Sequence, residues 1–345
     1  MGRGTAAKFW VLLGGLLLIT LATVIVSTGM GYIQVSAADI IRVVLARLGG
    51  NQTVPGLDQV VPFVVMDIRL PRILTAALVG GGLAMSGVIY QGLLLNPLAD
   101  PYTLGVSSGA AFGASLALLA NLTLLGHFSV PLFAFAGAVA TLFVVLYLST
   151  FNGQMSANTL ILSGVIVGAI LSAGISFLKY LADEQVAVII FWLMGSFASR
   201  TWVDVGLVAA ALVIGAAISI YYGRDLNIMS LGGRSADALG VETARTRKTL
   251  LLTASLVAAI CVAVSGIIGF VGLIVPHLMR FVVGPDNRKL LPVSILAGAS
   301  LLLMADTVTR AVLPTEVPIG VLTALIGGPF FCVIFRRRQR GVKFE

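Results

Sequence analysis

The sequence predicts an all-α polytopic membrane protein with about ten spanning helices. Composition is the first reason. Of 345 residues, 58% are hydrophobic and 10% charged, against about 25% charged in soluble domains, and mean hydropathy is +1.05. Spacing is the second, because apolar runs near the roughly 20 residues that cross a bilayer recur along the whole chain. The third is a motif order. Arg69-Leu70-Pro71-Arg72 is followed by Gly80-Gly81-Gly82-Leu83-Ala84-Met85-Ser86-Gly87, then by Asn96-Pro97-Leu98-Ala99-Asp100-Pro101, then by Leu104-Gly105-Val106-Ser107-Ser108-Gly109-Ala110. That order reads as a helix entering a bilayer, a broken turn, and a helix returning. Irregular backbone at such depth is tolerated only where protein buries it or a cavity receives it, so the segment points to a transport path.

Residues 9–29 form the first run. Arg3 and Lys8 precede it and Val35-Ser36-Ala37 resembles a weak cleavage site, but the run exceeds the 7–15 residues of a secretory h-region. An uncleaved first span is expected. Ser36–Leu48 is amphipathic and too polar to span, so it is expected to lie on the outer interface. Spans follow at 68–95, 104–120, 130–150 and 159–178. Val186–Trp202 is a second candidate for an outer interfacial helix. Further spans are expected at 203–221, 250–269, 270–282, 291–311 and 318–335. The segment 270–282 is short and carries Pro276, which suggests a broken or partial span. The 39 glycines suit close helix approach, since lipid supplies no hydrophobic drive between helices.

Ten passes place both termini on one side. With that side cytoplasmic, fifteen of the 22 basic residues lie inside, among them Lys8, Arg224, Arg245, Arg288 and Lys343. Seven lie outside: Arg42, Arg47, Arg69, Arg72, Lys179, Arg200 and Arg310. The asymmetry favours this orientation and accounts for the net charge of +8 without nucleic acid. The polar stretch 222–250 is too short for an ordinary soluble domain, and no G-x-x-x-x-G-K-[S/T] loop occurs, so no P-loop binds ATP here. Cys261 and Cys332 sit in apolar runs and read as small hydrophobes. His127 and His277 are too few for a metal cluster. Gly105-Val106-Ser107-Ser108-Gly109 matches the G-x-S-x-G spacing of hydrolases, but it opens an apolar helix rather than a strand–turn–helix. Pro276-His277 with Arg280 reads as a helix end at the inner face, or as a proton relay.

The segments Arg69–Arg72, Asn96–Pro101 and Leu104–Ala110 resemble the signature of the FecCD-type permeases. Gly269-Phe270-Val271-Gly272-Leu273-Ile274-Val275-Pro276-His277 and Glu316-Val317-Pro318-Ile319-Gly320 resemble it too. The similarity runs from Tyr32 to Arg337. These permeases are the membrane subunits of type II ABC importers for iron-siderophores, haem and cobalamin. The resemblance implies a multi-pass protein of the bacterial cytoplasmic (inner) membrane, with ten helices, an inverted repeat and both termini cytoplasmic. It also implies a second permease copy, favoured as a homodimer, two cytoplasmic ATPase subunits that bind ATP and Mg, and an extracytoplasmic substrate-binding protein. No cofactor or metal is implied in this chain. Iron-siderophore is the first expected cargo, with haem and cobalamin behind it.

Site expectations follow from the residues and this resemblance together. Two short apolar-polar segments, 226–233 and 236–241, each end at a glycine, a helix C-cap signal. They could rest on lipid. The resemblance makes them coupling helices that enter the ATPase, with Met229, Leu231 and Leu239 as anchors and Gly232 and Gly240 at the turns. Arg69 and Arg72 are three apart and share a helix face, and Arg310 follows Asp306 by four. Headgroup snorkelling or an Asp306–Arg310 pair would explain them locally; the resemblance makes all three docking points for the binding protein. Asn96, Pro97 and Leu98, with Ser156, Ala157 and Asn158, are either ordinary turns or, by resemblance, cytoplasmic gates. Ala157 departs from the small hydroxyl residue of the cobalamin branch. Gly164, Gly168, Ser172 and Ser176 either line the path or pack helices. An ion- or proton-coupled secondary transporter is the alternative function. It needs acidic groups within the spans, where Asp306 is the strong candidate.

Overall fold

The computed structural model describes residues 3–31, 33–51, 54–122, 126–151, 154–311 and 316–341. Tyr32 and Lys343 lie outside the described residues, and so do the side chains of Arg3, His127, Arg337, Arg338 and Arg340. In chain order the helices are α1 (Arg3–Gly29), α2 (Ala37–Leu48), α3 (Val60–Phe63), α4 (Leu70–Leu93), α5 (Val106–Leu119), α6 (Ser129–Ser149) and α7 (Ala157–Leu181). Then come α8 (Val186–Leu193), α9 (Trp202–Tyr221), α10 (Gly223–Met229), α11 (Gly233–Ala238), α12 (Thr243–Ser265), α13 (Val271–Val283), α14 (Asn287–Ala311) and α15 (Ile319–Gly341). A π-helical turn, Val64–Arg69, joins α3 to α4 without a break. A minimal hairpin, β1 (Thr150–Phe151) with β2 (Gln154–Met155), pairs Thr150 with Met155.

Seven helical segments are long and apolar enough to cross a membrane: α1, α3 through α4, α6, α7, α9, α12 and α14. Three shorter apolar helices, Val106–Leu119, Val271–Val283 and Ile319–Val333, complete the ten that the sequence predicts. Pro276 lies inside α13, which is a half-length helix as its sequence suggests.

α4 is the axis of the bundle, packed against α14, α12, α13 and α9. Its glycines explain how one helix serves so many neighbours. A Cβ on Gly80 would strike the Gly298 carbonyl on α14, and one on Gly87 would strike the Gly272 carbonyl on α13. A Cβ on Gly82 would meet the Cys261 sulfur on α12 at 2.8 Å. Each glycine thus faces a different helix, the close approach that small residues permit in lipid. Buried hydroxyls bind across the same seams: Ser86 Oγ donates to the Ala254 carbonyl at 3.0 Å, and the Tyr90 and Ser255 hydroxyls lie 2.5 Å apart. α5, α6 and α7 form a second group that packs onto α12.

These pairings set the direction of each helix. Contacts of residue 86 with 254 and of 79 with 261 run α12 antiparallel to α4. Contacts of 80 with 298 and of 72 with 306 do the same for α14. The molecule therefore has two ends. One, the arginine end, gathers the C-terminal end of α1, α2, the start of α4 and the end of α14. The other, the loop end, gathers α10, α11, the end of α13 and the start of α14.

The segment Val186–Trp202 departs from the expected surface-lying helix. α8 packs on α5 and α7, Ile189 and Phe197 are fully buried, and residues 194–200 turn back inside the bundle. There they meet two other irregular stretches. The Ser196 amide donates to the Ser265 carbonyl at 2.8 Å, and the Gly320 amide to the Met194 carbonyl at 3.0 Å. Tyr102 reaches in from the α4–α5 turn, its hydroxyl donating to the Ile268 carbonyl at 2.7 Å. Phe270 begins α13 in the left-handed region, φ +68°, with its ring over Gly327 of α15. Three helix breaks thus satisfy one another's backbone groups, as membrane depth requires.

Candidate translocation and coupling sites

At the arginine end, Arg69 and Arg72 share one helix face as predicted, and the fold turns that face inward. Arg69 donates to the carbonyls of Thr28 at 2.7 Å and Ile33 at 2.6 Å. Arg310 donates to those of Met30 at 2.9 Å and Ser27 at 2.7 Å. The two guanidinium groups satisfy carbonyls of the last turn of α1 and of the segment that follows it. Arg72 grips Asp306, Nε at 3.1 Å and Nη2 at 2.8 Å, while Nη2 also reaches Glu316 at 2.6 Å. The Asp306 side chain is 1% exposed and that of Glu316 47%. Asp306 pairs with Arg72 rather than with Arg310, four residues along its own helix. Arg310 Nε is buried and finds no acceptor among the described residues.

The loop end is built from α9 onward. α10 and α11 are short helices on glycine turns: Gly232 has φ +98° and Gly240 φ +82°, as the C-cap signals predict. Their apolar residues divide. Leu231 and Leu239 are 65% and 63% exposed, while Met229 is 5% exposed and packs into the chain's own core. Leu226 is fully buried against Gly92 of α4. Met229 therefore holds α10 to the bundle, and the two leucines are the projecting pair. Sequence reasoning missed the clasp behind them. Asn227 Nδ2 donates to Asp286 at 2.7 Å, and its Oδ1 accepts from the amide and side chain of Asn287, both at 2.8 Å. Asn287 is the first residue of α14, so α10 is tied directly to that helix. The turn Gly284-Pro285-Asp286-Asn287 was the legible signal for half of this clasp.

The gate candidates are well-formed turns. Leu95 takes a left-handed φ of +49°, and Asn96 Oδ1 accepts from the Leu98 amide at 2.9 Å. Ser156 caps α7 in a reciprocal box with Thr159, and Asn158 is exposed beside Ala157. No hydrogen bond joins the two segments among the described residues. The path candidates split into two pairs. Gly164 and Gly168 pack on the start of α5, at Thr103, Leu104 and Ser108. Ser172 and Ser176 are exposed, and Ser176 Oγ donates to the Ser172 carbonyl at 3.0 Å. They lie on the open face of α7 with Val165 and Ala169, at helical spacing. Among the described residues no group of three or more His, Cys, Asp or Glu could hold a metal.

A bundle of ten apolar helices with helix breaks at depth, and a short-helix loop at one end, is the architecture of a transport permease. The chain matches the FecCD transport family over residues 17–337 and belongs to it. Its relatives specify the class further. It is 46% identical to the cobalamin import system permease protein BtuC of Halobacterium salinarum, over 82% of this chain and 76% of that one. It is 41% identical to the molybdate import system permease protein MolB of Haemophilus influenzae, over 96% of each. It is 42% identical to the hemin transport system permease protein HmuU of Yersinia pestis, over 80% and 84%. Among solved structures it resembles a transporter described as a metal-chelate type ABC transporter in an inward-facing conformation, with TM-score 0.80, 39% identity, and coverage of 94% and 98%. The protein is the permease subunit of a type II ABC importer.

Proposed function

We propose that this permease carries a metal chelate, with iron-siderophore first and haem or cobalamin next, and that a separate ATPase drives it from the loop end. The projection of Leu231 and Leu239 carries the reading. Two exposed leucines in the glycine-bearing turns that end α10 and α11, with α10 clasped to α14 behind them, suit insertion into a partner's cleft. Burial of such apolar side chains against a partner is a main favourable contribution to protein association. In this arrangement ATP and Mg sit on the partner, and both termini of this chain lie in the cytoplasm of a bacterial inner membrane.

The functional unit in this reading holds two copies of the chain, with the exposed serine face of α7 turned toward the path between them. Asn96–Leu98 and Ser156–Asn158 close that path at the cytoplasmic side. A binding protein docks at the arginine end. Arg69, Arg72 and Arg310 are already engaged internally, so a docking carboxylate would share them; half-exposed Glu316, paired with Arg72, marks where the cluster is reachable from outside. The cargo class draws support from relatives named for cobalamin, haemin and ferric citrate import, and the molybdate relative extends it to a metal oxyanion. The ion-coupled alternative loses its main support, because Asp306 is held by Arg72 and not presented to a path.

The test is purification of the tagged chain from its native membrane in mild detergent. An ATPase bearing a P-loop is expected to co-purify in equal amount. Transport of cargo into vesicles that contain this chain alone would contradict the proposal.

A further inference from the structure

We propose a binding site for an anionic phospholipid headgroup at the loop end, between the start of α1 and the corner where α13 meets α14. A cavity of about 390 Å³ opens there, lined by Lys8, Phe9, Leu12, Val282, Val283 and Lys289. It has two ammonium groups and four apolar side chains, and no carboxylate among its lining residues. Neither lysine has an ion-pair partner among the described residues, and Lys289 is half-buried. Two unpaired cations sharing one recess repel each other unless an anion lies between them. The apolar floor says which anion. Lys8 and Leu12 share one face of α1 at helical spacing with Ile19 and Val26, which are both exposed. An acyl chain can lie along that face while its phosphate meets the lysines. Free phosphate would leave the apolar floor unused. Basic pockets between spanning helices are where acidic lipid headgroups bind.

The place of the site gives it a consequence. Lys289 is three residues from Asp286 and two from Asn287, the pair that clasps Asn227 of α10. A lipid there would join the thinly packed α1 to the corner that supports the coupling loop.

The experiment is native mass measurement of the full-length permease in detergent, titrated with phosphatidylglycerol, phosphatidylcholine or inorganic phosphate. Phosphatidylglycerol is expected to bind and to be retained over phosphatidylcholine. The double variant Lys8→Ala/Lys289→Ala is expected to bind it roughly 30-fold more weakly, from the usual gain per basic residue at an anionic surface. Lys8→Arg/Lys289→Arg should keep binding, which separates lost charge from lost fold. Arg42→Ala/Arg47→Ala, at the other end, should leave it unchanged. Equal retention of both lipids, equal binding by the alanine double variant, or the same response to inorganic phosphate would overturn the proposal.

Discussion

Arg72 shows how far a single residue's role depends on its partner. Asp306 is a carboxylate in the bundle interior, and the bidentate guanidinium is what makes its charge tolerable there. Arg72→Ala is expected to destabilise the protein by about 3–5 kcal/mol, because it leaves that charge buried and alone. Arg72→Ala/Asp306→Ala should recover much of the loss. Thermal unfolding in detergent measures both, and a single variant no worse than the double would count against the pairing. Gly87 makes a different kind of demand. Its missing side chain is the space that the Gly272 carbonyl occupies, so Gly87→Val must push α4 and α13 apart. Overpacking of this kind costs about 1–3 kcal/mol or more, and the same unfolding assay should show it, while Gly233→Ala, where nothing lies within 4 Å, should be nearly silent.

Among the elements, α10 and α14 act as one piece because Asn227 binds both Asp286 and Asn287. Asn227→Leu keeps a side chain of similar size and removes three hydrogen bonds. It is expected to leave assembly with the ATPase intact and to lower the cargo moved per ATP hydrolysed in reconstituted vesicles; an unchanged ratio would show that the clasp transmits nothing. The elements also show what the sequence made legible. Spans were readable from apolar length, and the cap glycines at 232 and 240 marked both short helices. The dip of 186–200 was not readable. Its run Val-Ala-Val-Ile-Ile-Phe-Trp-Leu is as apolar as an interfacial face, and only the distant Ser265, Ile267 and Gly320 give its backbone partners. Met229 differs from Leu231 in a way its spacing does not show: it is buried in the chain's own core, while Leu231 projects. The arginines were found by type and spacing, while the backbone carbonyls of residues 27–33 that Arg69 and Arg310 bind have no sequence signature at all.

For the whole molecule, the two ends are joined by continuous helices. α4 and α14 both run from the arginine cluster to the loop that carries Leu231 and Leu239, and they touch along most of their length. In the proposed mechanism these two helices would carry a push on the loop to Arg72 and Asp306. The open face of α7, with Leu162, Val165, Ile166 and Ile170 exposed, is where a second copy would complete the path. The mass of the detergent-solubilised assembly is expected to correspond to two copies of this chain, and an active assembly with one copy would refute that arrangement.

The most direct measurement of the central claim is ATP-dependent cargo uptake by vesicles holding the assembled importer, with wild-type chain or Leu231→Asp/Leu239→Asp. Placing two carboxylates where apolar anchors must be buried should weaken ATPase association and abolish uptake, while the permease itself stays folded because both leucines are exposed. A variant that still holds its ATPase and transports at the wild-type rate would contradict the account.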